Sequence, residues 1–284
     1  LSAFNTVVND YAQSPYSKRA LLQRGLVQYR LGKYDDAIAT YESVVEDYGV
    51  DAESQEAIAT LKNIYLDLGR VDDFTDWLND VPDYEVSPME IDSLTYQAAE
   101  NLVADGDCDQ AIVSFEKYLD KFPKGLFATN ANNYLADCAY RKNDDEKALS
   151  GFEYVASVPT GQFTEPSLLG AATIRFKQKD FEEALQHYIA LETVAEFAAN
   201  VLRSRTGQMR SNYQLGNYPE AIVAIDKVLG DENLTEELEV EARLNRARIF
   251  FTEKKFDEAE PDYQWLAAKK ETEPGAEAKF RLAQ

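Results

Sequence analysis

One pattern recurs along the whole chain at an interval close to 37 residues, and it constrains the fold more than any other feature. Its anchor is an alanine, replaced once by phenylalanine, at Ala37, Phe74, Ala111, Ala148, Ala184, Ala221 and Ala259. A large apolar residue follows each anchor by four positions, and another apolar residue precedes it by eight. Because residues four apart share one face of an α-helix, the pattern predicts helices with one buried face.

Each copy of the pattern consists of two predicted helices separated by a short turn. Glycine or asparagine stands in five of the seven turns, as in Gly32 and Asn143, and both residue types suit the end of a helix. A mostly small residue, such as Ala172, stands twelve positions before the anchor. Small residues facing each other let two antiparallel helices approach closely. Such a pair cannot bury its apolar face alone, so successive pairs are expected to stack.

These residues resemble the tetratricopeptide repeat family. The resemblance is carried by GLVQYRLGKYDDAIATY (25–41), SNYQLGNYPEAIVAI (211–225) and IFFTEKKFDEAEPDY (249–263), and the periodicity extends it over essentially the whole chain. The resemblance implies an all-α fold, an α/α superhelical solenoid of antiparallel helix pairs. It also implies a concave face that is lined by the first helix of each pair and binds protein or peptide segments.

Two longer segments resemble a subtype of this family. DYAQSPYSKRALLQRGLVQY (10–29) and KFPKGLFATNANNYLADCAYRKND (121–144) are similar to repeats of bacterial envelope proteins. The similar proteins include the Tol-Pal-associated periplasmic protein and outer-membrane assembly lipoproteins. This resemblance implies a bacterial, periplasmic or envelope-associated protein, with a cytoplasmic location as the alternative.

The repeat predicts a single array over residues 1–284. Partial repeats are expected at 1–14 and 276–284, which suggests a piece of a longer array with uncapped ends. The second repeat is degenerate, because Lys62 and Phe74 replace the two small residues and are expected to splay its helices. The complete repeats are predicted at residues 18–51, 55–88, 92–125, 129–162, 165–198, 202–235 and 240–273.

Composition and motifs argue against several classes of function. The chain has 51 acidic and 29 basic residues, a net charge of −22, which disfavours nucleic acid as a partner. No apolar run is long enough to insert into a membrane. The sequence contains one histidine, His187, and no nucleophile–base, metal or phosphate-binding motif. We therefore expect a protein without catalytic activity, cofactor or metal.

The first helices of the last three repeats carry a group of basic residues that contrasts with the acidic chain. Arginine binds carboxylates with two parallel hydrogen bonds, so these helices are predicted to bind an anionic or extended peptide. The alternative is that the arginines pair with local carboxylates such as Glu241. The predicted binding residues are Lys177, Arg203, Arg210, Gln214, Leu244 and Arg248.

Two questions stay open in the sequence. Cys108 and Cys138 fall on neighbouring predicted helices, where they form either a disulfide or, as we favour, two buried thiols. The favoured function is a protein–protein interaction scaffold. The alternatives are a structural spacer that self-associates through uncapped ends, and a regulatory region of an enzyme or sensor.

Overall fold

The computed structural model describes residues 1–269 and 272–284, so Lys270 and Glu271 of the predicted seventh repeat lie outside the described residues. The described residues form sixteen helices and contain no strand. The helices are α1 (Ser2–Asp10), α2 (Ser17–Arg30), α3 (Tyr34–Tyr48), α4 (Ala52–Asp67), α5 (Val71–Asp80), α6 (Pro88–Ala104), α7 (Cys108–Lys121), α8 (Ala128–Arg141), α9 (Asp145–Ser157), α10 (Thr164–Lys177), α11 (Phe181–Val194), α12 (Ala198–Leu215), α13 (Tyr218–Leu229), α14 (Glu236–Thr252), α15 (Phe256–Ala267) and α16 (Glu273–Leu282).

The two helices of each pair are joined by a turn that repeats the same backbone geometry. Its left-handed residue lies five positions before the anchor of the sequence pattern. The next amide donates to a carbonyl five residues earlier, as in Lys33 N to Gln28 O at 3.0 Å. This is a Schellman motif, which satisfies carbonyls at the end of the first helix. The left-handed residues are Gly32, Gly69, Gly106, Asn143, Lys179, Gly216 and Lys254.

The predicted fold class, an all-α solenoid of helix pairs packed in chain order, is confirmed. The chain forms two compact units, residues 1–138 and 139–284. In each unit the small residues lie where the pattern places them. Ala99 and Ala111 are fully buried in one core cluster of the first unit, and Ala172 and Ala184 in one of the second.

The second helix pair, α4 and α5, accommodates its two large residues without the small-to-small contact. Phe74 is buried and packs its ring 5.6 Å from that of Tyr65 and 6.1 Å from that of Trp77. Lys62 is half-buried. Both side chains line a cavity of about 320 Å³ that also touches the residues leading into α6. The two large residues of this repeat therefore lie beside a cavity.

The cysteines are joined, which corrects the expectation of two buried thiols. Cys108, the first residue of α7, forms a disulfide with Cys138 near the end of α8, and their Cα atoms are 5.2 Å apart. That separation is within the range a disulfide requires. The thiol interpretation was wrong because α7 and α8 pack in one core with the two cysteines at adjacent positions, a separation that the sequence alone does not show.

Candidate functional site

A groove of about 830 Å³ in the second unit is lined mainly by the first helices α10, α12 and α14. Its apolar lining includes Leu169 and Phe176 on α10, Leu202 on α12 and Leu238 on α14. None of these side chains is fully buried. The groove therefore offers apolar surface that the fold itself leaves open.

One glycine makes the floor of this groove possible. A Cβ atom built on Gly207 would lie 2.4 Å from the ring of Tyr188, so only glycine lets α12 approach α11 this closely. The Tyr188 ring lines the groove, and burial raises the pKa of its hydroxyl. The floor is thus an aromatic ring held against helix backbone.

Two threonine hydroxyl groups of the groove donate hydrogen bonds within their own helices. Thr173 donates to the carbonyl oxygen of Leu169 at 2.7 Å, and Thr206 donates to that of Leu202 at 2.8 Å. Each oxygen keeps lone pairs that can accept a hydrogen bond. Thr173 is half-buried and can present such an acceptor beside the apolar side chains, whereas Thr206 is buried.

Arg210 spans the groove from α12 to Glu241 on α14. The guanidinium donates two hydrogen bonds to the carboxylate, from Nε at 2.7 Å and from Nη2 at 2.6 Å. The Glu241 hydrogen bond raises the pKa of Arg210. The alternative in which an arginine pairs with a local carboxylate therefore describes Arg210.

Two other predicted basic residues are paired in the same way. Arg248 donates to Glu277 on α16, with one bond of 2.9 Å, and that pairing raises the arginine pKa. Lys177 contacts Asp145 on α9. Their positive charges are already balanced, and neither residue lines the groove.

Arg203 is the remaining basic residue of the predicted set. Its guanidinium is exposed and donates a long hydrogen bond, 3.4 Å, to the Asn200 amide oxygen. Glu237, also exposed, lines the same groove, and within residues 1–269 and 272–284 its carboxylate makes no hydrogen bond or ion pair. The groove therefore presents one positive and one negative group that are open to a partner.

The structure brings only part of the predicted set together. Arg203 and Arg210 line the groove, whereas Gln214 is exposed elsewhere on α12 and Leu244 packs against the α14–α15 core. The prediction missed the apolar residues that make up much of the lining. The sequence shows these residues as apolar positions on first helices, but the prediction gave most weight to the basic residues.

The models of known families identify the repeat. A tetratricopeptide repeat model matches residues 19–49, and a second with the same description matches residues 96–160 and 207–274. Together the matched ranges cover more than half of the 284 residues. The chain belongs to the tetratricopeptide repeat family. The narrower likeness to envelope proteins is not part of that match.

Several solved structures are similar to this tetratricopeptide repeat chain. The P58(IPK) TPR domain aligns over 100% of this chain and 83% of its own, at 19% identity and a TM-score of 0.34. A tetratricopeptide repeat protein from Parabacteroides merdae aligns over 94% and 97%, at 13% identity and a TM-score of 0.34. PilW, a type IV pilus biogenesis factor, aligns over 80% and 99%, at 14% identity and a TM-score of 0.38. A search of curated proteins found no match.

Neither a membrane-spanning helix nor a metal-binding cluster is found among the described residues. Within the described residues, no helix has both the length and the apolar character that crossing a bilayer requires. The same residues contain no group of three or more histidine, cysteine, aspartate or glutamate side chains placed to hold a metal ion.

Proposed function

We propose that the protein is a non-catalytic interaction scaffold that binds an extended segment of a partner protein in the α10–α12–α14 groove. The observation that carries the proposal is the half-buried apolar lining of that groove beside the exposed charge of Arg203. An apolar cleft with a few placed polar groups is the usual form of a binding site. A preformed groove also lowers the ordering cost of binding.

The partner segment needs a particular chemistry to fit this groove. Apolar side chains of the segment would cover Leu169, Leu202 and Leu238. An acidic residue of the segment would lie against Arg203, whose exposed guanidinium lacks a carboxylate partner among the described residues. The sequence predicted an anionic or extended peptide. Because Arg210 and Arg248 are already paired, the proposed segment is mostly apolar and carries one acidic residue for Arg203.

The groove is tested by selecting peptides from a display library on the wild-type protein and measuring their affinity for variants. Arg203→Glu and Leu238→Glu are expected to weaken the selected peptides at least about tenfold, because each removes a central contact. Arg30→Glu on α2 and Val223→Glu on α13 are matched controls, both at exposed positions outside the groove. Selected peptides that bind all four variants equally well would contradict the proposal.

The disulfide supports a location outside the reducing cytosol, and we include the bacterial periplasm in the proposal. Structural disulfides persist in secreted and periplasmic proteins and are rare in cytosolic ones. Alkylation of protein from its native host should modify neither Cys108 nor Cys138 until a reductant is added. Rapid labelling of both residues without reductant would refute the periplasmic location.

Self-association is the second candidate function, favoured by the surface of α16. Phe280 is 61% exposed and Leu282 is 41% exposed on this helix. If copies associate through this surface, sedimentation of the wild type should show dimers or larger species at micromolar concentration. Phe280→Lys should then be monomeric, whereas an unchanged distribution would exclude this surface.

A further inference from the structure

The cavity in the second repeat is a separate feature of the first unit, unrelated to the α10–α12–α14 groove. It is lined by α4 residues, by Phe74 of α5 and by residues that precede or begin α6, including Tyr84 and Glu90. Its volume of about 320 Å³ lies at the lower end of small-molecule pockets. A ligand the size of one amino acid suits such a space better than a long peptide.

Lys62 gives the cavity a positive group. This lysine replaces the small residue of the repeat pattern and is half-buried. Across the part of the chain that the structure describes, its ammonium group makes no hydrogen bond, ion pair or ring contact. Partial burial of a charge without a partner is unfavourable, and a bound carboxylate would relieve it.

Glu90 gives the same cavity a negative group. It is the third residue of α6, behind Ser87, whose hydroxyl accepts the amide of Met89. At this position a capping box would turn the glutamate back to the Ser87 amide. No such bond exists among the described residues, and the carboxylate stays half-buried and open to the cavity.

The walls between these charges are apolar or aromatic. Ile58 and Phe74 are buried and form part of the lining, and half-buried Tyr84 contributes its ring. Among the described residues no salt bridge joins Lys62 to Glu90, so the lysine nitrogen and the carboxylate oxygens are more than 4.0 Å apart. A ligand that lies between them would meet a cation, an anion and aromatic surface together.

We propose that this cavity binds a free α-amino acid with an apolar or aromatic side chain. Its carboxylate would pair with Lys62, its ammonium group with Glu90, and its side chain would pack on Phe74 and Tyr84. A peptide end carries only one of the two charges and cannot satisfy both residues. The two departures from the small-residue pattern, Lys62 and Phe74, thereby acquire a shared role.

The test is a thermal-shift and calorimetric titration of the whole chain with leucine, phenylalanine, tyrosine and tryptophan at millimolar concentration. At least one of them should raise the melting temperature, because a ligand that binds only the folded state stabilises it. N-acetylphenylalanine lacks the ammonium group and phenylalaninamide lacks the carboxylate. Both analogues should bind at least about tenfold more weakly than phenylalanine, as expected for losing a charged hydrogen bond.

Substitutions of Lys62 and Glu90 test whether these two residues bind the amino acid. Lys62→Met and Glu90→Gln should each weaken the amino acid at least about tenfold, whereas Lys117→Met on the exposed face of α7 should not. Lys62→Met should melt no lower than the wild type without ligand, which separates lost binding from lost folding. Absence of any melting shift, equal affinity for the analogues, or full affinity in Lys62→Met would each overturn the proposal.

Discussion

At the scale of single residues, the turns show how little of the sequence is needed to fix the helix pairs. Each turn has one left-handed residue, and five of the seven are glycine or asparagine, as the sequence indicated. Lys179 and Lys254 occupy the same conformation with φ of 64° and 60°. Only their position in the repeat predicts the left-handed conformation of these two lysines, because lysine has no preference for the left-handed region.

The turn geometry predicts opposite effects for opposite substitutions. Gly106 adopts φ 79°, so Gly106→Ala should lower the free energy of unfolding by about 1–2 kcal/mol. Lys254→Gly removes the same left-handed strain and should raise the free energy of unfolding. The gain should be less than about 1 kcal/mol, because glycine also increases the conformational entropy of the unfolded chain. Urea unfolding followed by circular dichroism measures both. If both substitutions changed the free energy of unfolding in the same direction, left-handed backbone strain would not explain the stability of these turns.

Gly207 predicts a packing effect rather than a backbone one. Gly207→Ala should destabilise by about 1–3 kcal/mol, because the added Cβ would lie 2.4 Å from the Tyr188 ring. Gly161→Ala is the matched control, since nothing lies within 4 Å of its Cβ position. The test compares the melting temperatures of the two variants with that of the wild type. An equal change in both would contradict the close approach of α12 to α11.

At the scale of helices, ion pairs link equivalent helices of neighbouring repeats. Arg210 to Glu241 joins α12 to α14, and Arg248 to Glu277 joins α14 to α16. These pairs show that a basic residue in the sequence is not by itself a free charge for a partner. The sequence shows an arginine without showing whether a carboxylate some thirty residues away lies beside it. The pairs are partly exposed, so each contributes at most about 1 kcal/mol.

The Arg248–Glu277 pair predicts a pH dependence of stability. The hydrogen bond from Arg248 lowers the pKa of Glu277 in the folded state. Stability from the pair is therefore complete above the unfolded pKa of about 4.3 and is lost as pH falls through the lower folded value. The free energy of unfolding of Glu277→Gln should fall less between about pH 5 and pH 3 than that of the wild type. Glu232→Gln is the control, and a wild-type slope in Glu277→Gln would contradict the pairing.

At the scale of the whole molecule, the sequence predicted the class of fold and the positions of its small contacts. It did so because residues of the same size recur at the same positions of each repeat, so the same helix-to-helix contact is expected in each pair. The α10–α12–α14 groove was less predictable, since Leu169, Leu202 and Leu238 come from three different helices and look like ordinary core residues in sequence. The disulfide was undecided for a related reason, because sequence gives neighbouring helices but not a Cα separation of 5.2 Å.

The binding groove is tested most directly by amide hydrogen exchange with and without a peptide selected on the protein. Slower exchange is expected in segments of α10, α12 and α14 around the groove, and the effect should be absent in Arg203→Glu at the same peptide concentration. Protection confined to α11, α13 and α15, or to the first unit, would contradict binding in the groove.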